Sequence, residues 1–265
     1  MDPEETISSY MASPLKSLLH PGVLLQAIKR LLEVDRLGSF FYFALIHQAH
    51  LAKLGVSPSG NYYEFGVGQG GTLTRYMYAL KQYCSHFHDD PRDYRIFGFD
   101  TFEGLPPKSS LKDDYVGWEE GMFKVGLDRI WDRVDKVSKK VGLPKRNVRF
   151  VKGRFDESLV PSLRDELSVY SPSIVCIDVD YYSSTIEILN WLFPLLHSGT
   201  LFYFDDVWSF HGSPRYGELS AIEEFNESGK GHLTQYPLLS TPSSLGHIYI
   251  YSRRDFEYKS GALNR

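Results

Sequence analysis

Cysteine is scarce. Only Cys84 and Cys176 occur in 265 residues, too few for a disulfide framework, and Cys176 lies inside an apolar run where a buried thiol is the ordinary outcome. Neither sign of charge dominates: 29 basic against 33 acidic residues leave a formal charge of -4. No basic run is dense enough to follow a phosphate backbone, which argues against a nucleic-acid partner. No stretch approaches the roughly 18 uninterrupted apolar residues of a membrane span. The opening MDPEETISSY is acidic and lacks the basic start and apolar run of a signal peptide, so a soluble cytoplasmic protein is the expectation. Asn226-Glu227-Ser228 matches the glycosylation triplet, but such triplets arise by chance and no secretory route gives this one meaning. Internal repeats and interdomain linkers are absent as well.

What is present centres on the run from Ile174 to Asp206. It reads IVCIDVDYYSST, then IEILNWLFPLLHSGT, then LFYFDD. Two apolar runs rich in β-branched and aromatic residues each end in acids, and an amphipathic segment joins them. That is the pattern of two parallel strands with a crossover helix. The carboxyl ends of strands in an open α/β sheet form the ligand crevice, so Asp178, Asp180, Asp205 and Asp206 should converge there. Like charges in one crevice call for a cation or proton among them. Carboxylate oxygens suit a hard ion such as magnesium, and no His-Cys grouping suggests zinc. Asp178, Asp205 and Asp206 are the predicted metal ligands. Asp178 is the candidate base for a hydroxyl acidified by the ion. Asp180 either shares the Asp178 face or lies past the strand end and binds the backbone of the next helix, although Ser183, Ser184 and Thr185 are better placed to cap it.

Residues 1–58 read as an N-terminal helical extension. PLKSLLHPGVLLQAIKRLLEV and GSFFYFALIHQAHLAKLG carry helical periods, the second stopping at Gly55. These exceed what the sheet needs and suggest a cover for the crevice or a homodimer contact. Residues 59–252 form the main α/β domain, with strands expected in NYYEF, RIFGFD, NVRFVKG, HLTQYPLLS and LGHIYIYS. A short helix in RFDESLVPSLRDEL is expected to be capped by Asp156 or Ser158. The stretch from Thr101 to about Gly126 lacks a period and has the length of a functional lid. Residues 253–265 are a polar tail. Among the histidines, His47 and His50 can share a helix face, His86 and His88 lie in a polar turn, and His211, with Trp208 and Phe210, follows the acid pair as a candidate substrate contact. Of Tyr181 and Tyr182, one is expected in the core and one toward the crevice.

The turn Glu64-Phe65-Gly66-Val67-Gly68-Gln69-Gly70-Gly71 follows a strand and precedes a helix. Glycines there allow a tight turn and backbone N–H groups close to a cofactor. Gly66, Gly68 and Gly71 satisfy the dinucleotide spacing, so a nicotinamide oxidoreductase is one reading. Glu64 just before the turn suits a cationic amino group better than a pyrophosphate. Asp100, closing the next strand, suits the ribose hydroxyls of either cofactor.

Taken together, YEFGVGQGGT, FGFDTFEGLPP, VKGRFDESL, IDVDYYSST and FYFDD, in that order from about Tyr62 to Phe225, resemble the macrocin O-methyltransferase family. Members are small-molecule enzymes of natural-product pathways that methylate sugar hydroxyls. The resemblance implies the class I S-adenosylmethionine-dependent fold, a Rossmann-like α/β architecture with a seven-stranded mixed sheet and helices on both faces. It implies that Glu64, Gly66 and Gly68 surround the methionine end of S-adenosylmethionine, that Asp100, Thr101 and Phe102 frame its ribose, and that Arg154 and Phe155 lie near its adenine. Asp178, Asp205 and Asp206 match the family's magnesium ligands, Asp178 also its base. The implied function is methyl transfer to a hydroxyl of a sugar or other polyhydroxylated small molecule. A non-catalytic cofactor-binding protein is the competing non-enzyme reading. This chain departs from the family at Gly68-Gln69, where a tryptophan-arginine pair is common, and at Thr101, where serine is common.

Overall fold

The computed structural model describes residues 36–55, 60–236 and 245–254. The first described element is helix α1 (Arg36–Lys53), followed by strand β1 (Asn61–Phe65), helix α2 (Gly71–Phe87) and strand β2 (Arg95–Asp100). Helix α3 (Leu127–Val141) and strand β3 (Val148–Lys152) complete the first half. Two short helices, α4 (Phe155–Ser158) and α5 (Pro161–Leu167), lead to strand β4 (Ile174–Ile177). Then come helix α6 (Tyr182–Leu192), strand β5 (Leu201–Phe204) and helix α7 (Gly217–Glu227). Strands β6 (His232–Gln235) and β7 (His247–Ser252) close the sheet.

The seven strands lie in the order β3-β2-β1-β4-β5-β7-β6. The pairs from β3 through β5 are parallel, and β7 runs antiparallel to both β5 and β6. The chain first builds outward from β1 to β3, then restarts at β4 on the other side of β1. A crevice opens at such a reversal, beyond the carboxyl ends of the strands.

Every residue of β1, β4 and β5 is buried, as expected of strands covered by helices on both faces. Alternation sorts their side chains into two cores. Tyr62, Ile96, Ile174, Cys176, Leu201 and Tyr203 face α1, α2 and α3. Tyr63, Phe65, Phe97, Phe99, Val175, Ile177, Phe202 and Phe204 face α6 and α7.

Helix α1 buries Phe40, Phe41, Ala44, Leu45 and Gln48, a stripe at helical spacing. Phe41 stands edge-on to Tyr62 and Tyr76, centroids 5.4 and 5.6 Å away, and these two rings stack at 4.1 Å. The Gln48 amide donates to the Gly199 carbonyl at 2.7 Å. This helix therefore packs on the sheet through its buried stripe. The segment before it, also predicted helical, lies outside the described residues, as do residues 255–265 of the predicted tail. The helix expected in RFDESLVPSLRDEL is broken in two at Pro161, and neither piece has a side-chain cap from Asp156 or Ser158.

Replacing Phe41 by alanine removes a fully buried ring and should lower unfolding free energy by about 3–5 kcal/mol, measured by urea denaturation. An unchanged midpoint would exclude α1 from the cooperative core.

Candidate active site

Strand β1 ends at Phe65, and the chain turns at Gly66, whose φ is +80°. Its N–H donates to the Phe99 carbonyl at 2.9 Å. A Cβ at Gly66 would lie 1.7 Å from the carbonyl oxygen of Asp178, so only glycine lets the β1 turn lie against the end of β4. The Asp178 N–H returns a bond to the Phe65 carbonyl at 2.9 Å. The glycine loop and the first acid are thus fixed to one another by backbone.

Asp100, at the end of β2, accepts the Gly68 N–H at 3.0 Å and the Phe102 N–H at 2.7 Å. Its carboxylate joins the glycine loop to the segment that follows β2. A cavity of about 470 Å³ lies over these turns, lined by Gly66, Gly68, Asp100, Thr101, Phe155, Asp178, Asp205 and Asp206 among others. Leu105, Pro106, Trp118 and Phe123 form an apolar wall to it. Its volume falls within the range of small-molecule sites.

That wall is docked. Asp113 is fully buried and accepts the N–H groups of Ser109, Ser110 and Ser183 at 3.2, 2.9 and 2.9 Å. The last of these is a first-turn amide of α6, so Asp113 caps that helix from 70 residues away. The predicted capping serines do not. Trp118 packs against Tyr115 and Phe210, centroids 4.4 and 5.7 Å away.

At the cavity floor, one carboxylate oxygen each of Asp178, Asp205 and Asp206 lies within 4.8 Å of the others. Burial, then the charges of Asp205, Asp206 and Asp180, hold Asp178 far above the usual carboxylate range. Strand β4 ends before Asp180, which has φ +64°. Burial first, then the Asp206 charge, push it up to about 8. Asp206 is also raised by burial, although the Ser209 hydroxyl donates to it at 2.6 Å. The Tyr203 hydroxyl donates to Asp205.

Three residues expected at the cofactor do not line the cavity. Glu64 is fully buried, because alternation turns it under α2. The Tyr62 hydroxyl donates to its Oε2 at 2.5 Å, while Oε1 has no partner. Phe102, at φ +57°, turns its ring into the core against Phe150, 5.8 Å away. The Arg154 guanidinium bonds Asp156 at 2.8 and 3.1 Å. Tyr181 is the core tyrosine, as expected of one of the pair, but the Tyr182 hydroxyl points to Glu224 on α7 at 2.6 Å rather than into the crevice. His211, Trp208 and Phe210 do not line the cavity either.

Sequence reasoning missed Asp113 and Glu218. Glu218 is fully buried in the first turn of α7. Burial, then the charge of Asp206, raises it well above the ordinary range. A signal for it existed: Glu218 shares a helical stripe with Ala221, Ile222 and Phe225, all buried, whereas Glu223 and Glu224 fall outside it. Asp113 sits in an aperiodic stretch that offers no comparable signal.

Burial pushes Glu64 up to about 8 from an ordinary 4.5, only partly offset by the Tyr62 hydroxyl and the Leu73 amide. A raised folded-state pKa gives stability that is complete below the unfolded value and lost as pH rises through the folded one. The metal-free protein should therefore melt at falling temperature between about pH 4.5 and pH 8. Glu64→Gln should make that decline shallower, with Asp178, Asp180, Asp206 and Glu218 supplying the remainder. Parallel wild-type and variant curves in a thermal-melt series over pH would contradict the assignment.

No helix among the described residues is long and apolar enough to cross a membrane. No curated protein matches the sequence. Among solved structures, the O-methyltransferase NovP is similar at 19% identity and TM-score 0.56, over 83% of this chain and 81% of that one. A calicheamicin methyltransferase, CalS11, is similar at 21% identity and TM-score 0.58, over 97% and 95%. These likenesses concern the fold. Residues 50–230 match the family described as Macrocin-O-methyltransferase (TylF). Together with the seven-stranded order, this match over two thirds of the sequence shows that the chain belongs to the macrocin O-methyltransferase family of S-adenosylmethionine-dependent enzymes.

Proposed function

We propose that the protein transfers a methyl group from S-adenosylmethionine to a hydroxyl of a sugar or other polyhydroxylated natural product, with magnesium held by Asp178, Asp205 and Asp206. The observation that carries this reading is the placement of three clustered carboxylates on the floor of the cavity that the glycine loop and Asp100 also line. The donor set fits a hard cation: all oxygen, mutually repelling, and raised in proton affinity at Asp178 and Asp206 by burial and by neighbouring carboxylates. When bound, S-adenosylmethionine supplies an electrophilic methyl group, and magnesium supplies charge that acidifies and orients the acceptor hydroxyl.

The chain's own residues do the rest. Asp100 keeps acceptor capacity after its two backbone bonds and receives the ribose hydroxyls. Gly66 and Gly68 present backbone to the methionine end, with Glu64 supporting the turn from beneath. Thr101 lines the ribose side while its hydroxyl holds the local turn by donating to Gly104 at 2.8 Å. Phe102 anchors that turn in the core. Phe155 lies beside the adenine, and Arg154 fixes the start of α4 through Asp156. A carboxylate oxygen of Asp178 takes the proton of the acceptor hydroxyl, which the bound cation would acidify. Leu105, Pro106, Trp118 and Phe123 exclude water and pack on the apolar faces of the acceptor.

Calorimetric titration with S-adenosylhomocysteine, with and without magnesium, tests the cofactor half. Wild type should bind, and Asp100→Ala should bind about tenfold more weakly or worse. Asp205→Asn should keep that binding and lose turnover on a panel of glycosylated acceptors. Full turnover in the presence of a chelator would refute the magnesium half.

A further inference from the structure

Asp206 sits where the sheet has ended. The Asp205 N–H still donates to the Ile177 carbonyl at 3.0 Å, but β5 closes at Phe204, and the Asp206 N–H has no strand partner. It donates instead to Oε2 of Glu218 at 2.9 Å. Glu218 is fully buried, and its Oε1 has no hydrogen-bond partner.

A carboxylate placed without solvent beside Asp206, and within the field of Asp178 and Asp205, raises the free energy of the fold. An apolar residue on the same stripe of α7 would avoid that. The backbone nevertheless secures its position. Gly217, at φ +58°, lies under the Phe210 ring, and a Cβ there would meet the ring at 2.5 Å, so the start of α7 is seated against the loop that leaves Asp206. The Ser209 hydroxyl grips Oδ1 of Asp206 from that loop.

We propose that Glu218 is a positioning residue for the metal site: through its bond to the Asp206 N–H it fixes where the Asp206 carboxylate stands relative to Asp178 and Asp205. The inference rests on the magnesium reading given above. The important property is an acceptor oxygen at the length of a glutamate side chain, and the charge is secondary. Partners that orient metal ligands typically govern affinity by about 10- to 100-fold.

Two conservative variants of the full chain separate acceptor from charge. Glu218→Gln keeps an acceptor at the same reach and removes the charge. Glu218→Asp keeps the charge and withdraws the acceptor by one methylene. Magnesium alone is titrated, and the readout is the rise in melting temperature together with the heat of binding, without acceptor or turnover. S-adenosylhomocysteine binding serves as the control for an intact fold.

The expected result is near wild-type magnesium affinity in Glu218→Gln and affinity about 10- to 100-fold weaker in Glu218→Asp, with S-adenosylhomocysteine binding retained in both. The reverse order would make charge the operative property and overturn the inference. Equal affinity in both variants and wild type would overturn it too, as would a joint loss of magnesium and S-adenosylhomocysteine binding, which marks general structural damage. A wild-type protein that does not respond to magnesium would instead refute the metal reading itself, and Glu218 would fall with it.

Discussion

Repulsion among buried carboxylates is the constraint on which the rest of the structure turns. Asp178, Asp205 and Asp206 are brought together by three consecutive backbone facts: β4 and β5 are parallel neighbours, both end within a residue or two of the acids, and the sheet order reverses beside them. Around them the protein places donors sparingly: the Ser209 hydroxyl on Asp206 and the Tyr203 hydroxyl on Asp205. The Asp206 charge, after burial, raises the proton affinity of Asp180 beside the cluster. Such an arrangement is costly in isolation and makes sense as a site prepared for positive charge.

The two faces of the sheet serve this site differently. On one face the phenylalanines of β1, β2 and β5 make a dry core, Phe65 stacked on Phe99 at 4.4 Å. The other face carries polar tips within its aromatics: Tyr62 toward Glu64 and Tyr203 toward Asp205. Helix α1 presses on that second face at Tyr62 and Tyr203. The hydroxyls that address the acids are therefore held by rings whose packing depends on the N-terminal helix.

Much of this was legible in the sequence, for identifiable reasons. β1 and β2 fall where the apolar runs NYYEF and RIFGFD begin and end, because strands buried on both faces leave an unmixed apolar signature. The acid cluster was legible because each acid directly follows such a run. What failed depended on facts that one-dimensional patterns do not carry. Phe102 and Arg154 lie beside cavity residues in the chain yet point elsewhere, one into the core and one to Asp156. Asp113 acts on an amide 70 residues distant. Glu218 is marked by its apolar stripe, but an acid in the first turn of a helix also has an ordinary explanation in the dipole, so the sequence pattern alone does not single it out.

The cap that Asp113 places on α6 has an electrostatic consequence. A helix N-terminus carries roughly half a positive charge, and that of α6 begins two residues after Asp180. Left open, it would be a fixed positive pole close to the acid cluster in sequence. Asp113 occupies its Ser183 amide with a carboxylate, so that pole is neutralised by the wall segment before the field reaches Asp178, Asp205 and Asp206. The same contact that holds the wall in place thus denies the cluster its cheapest internal counter-charge.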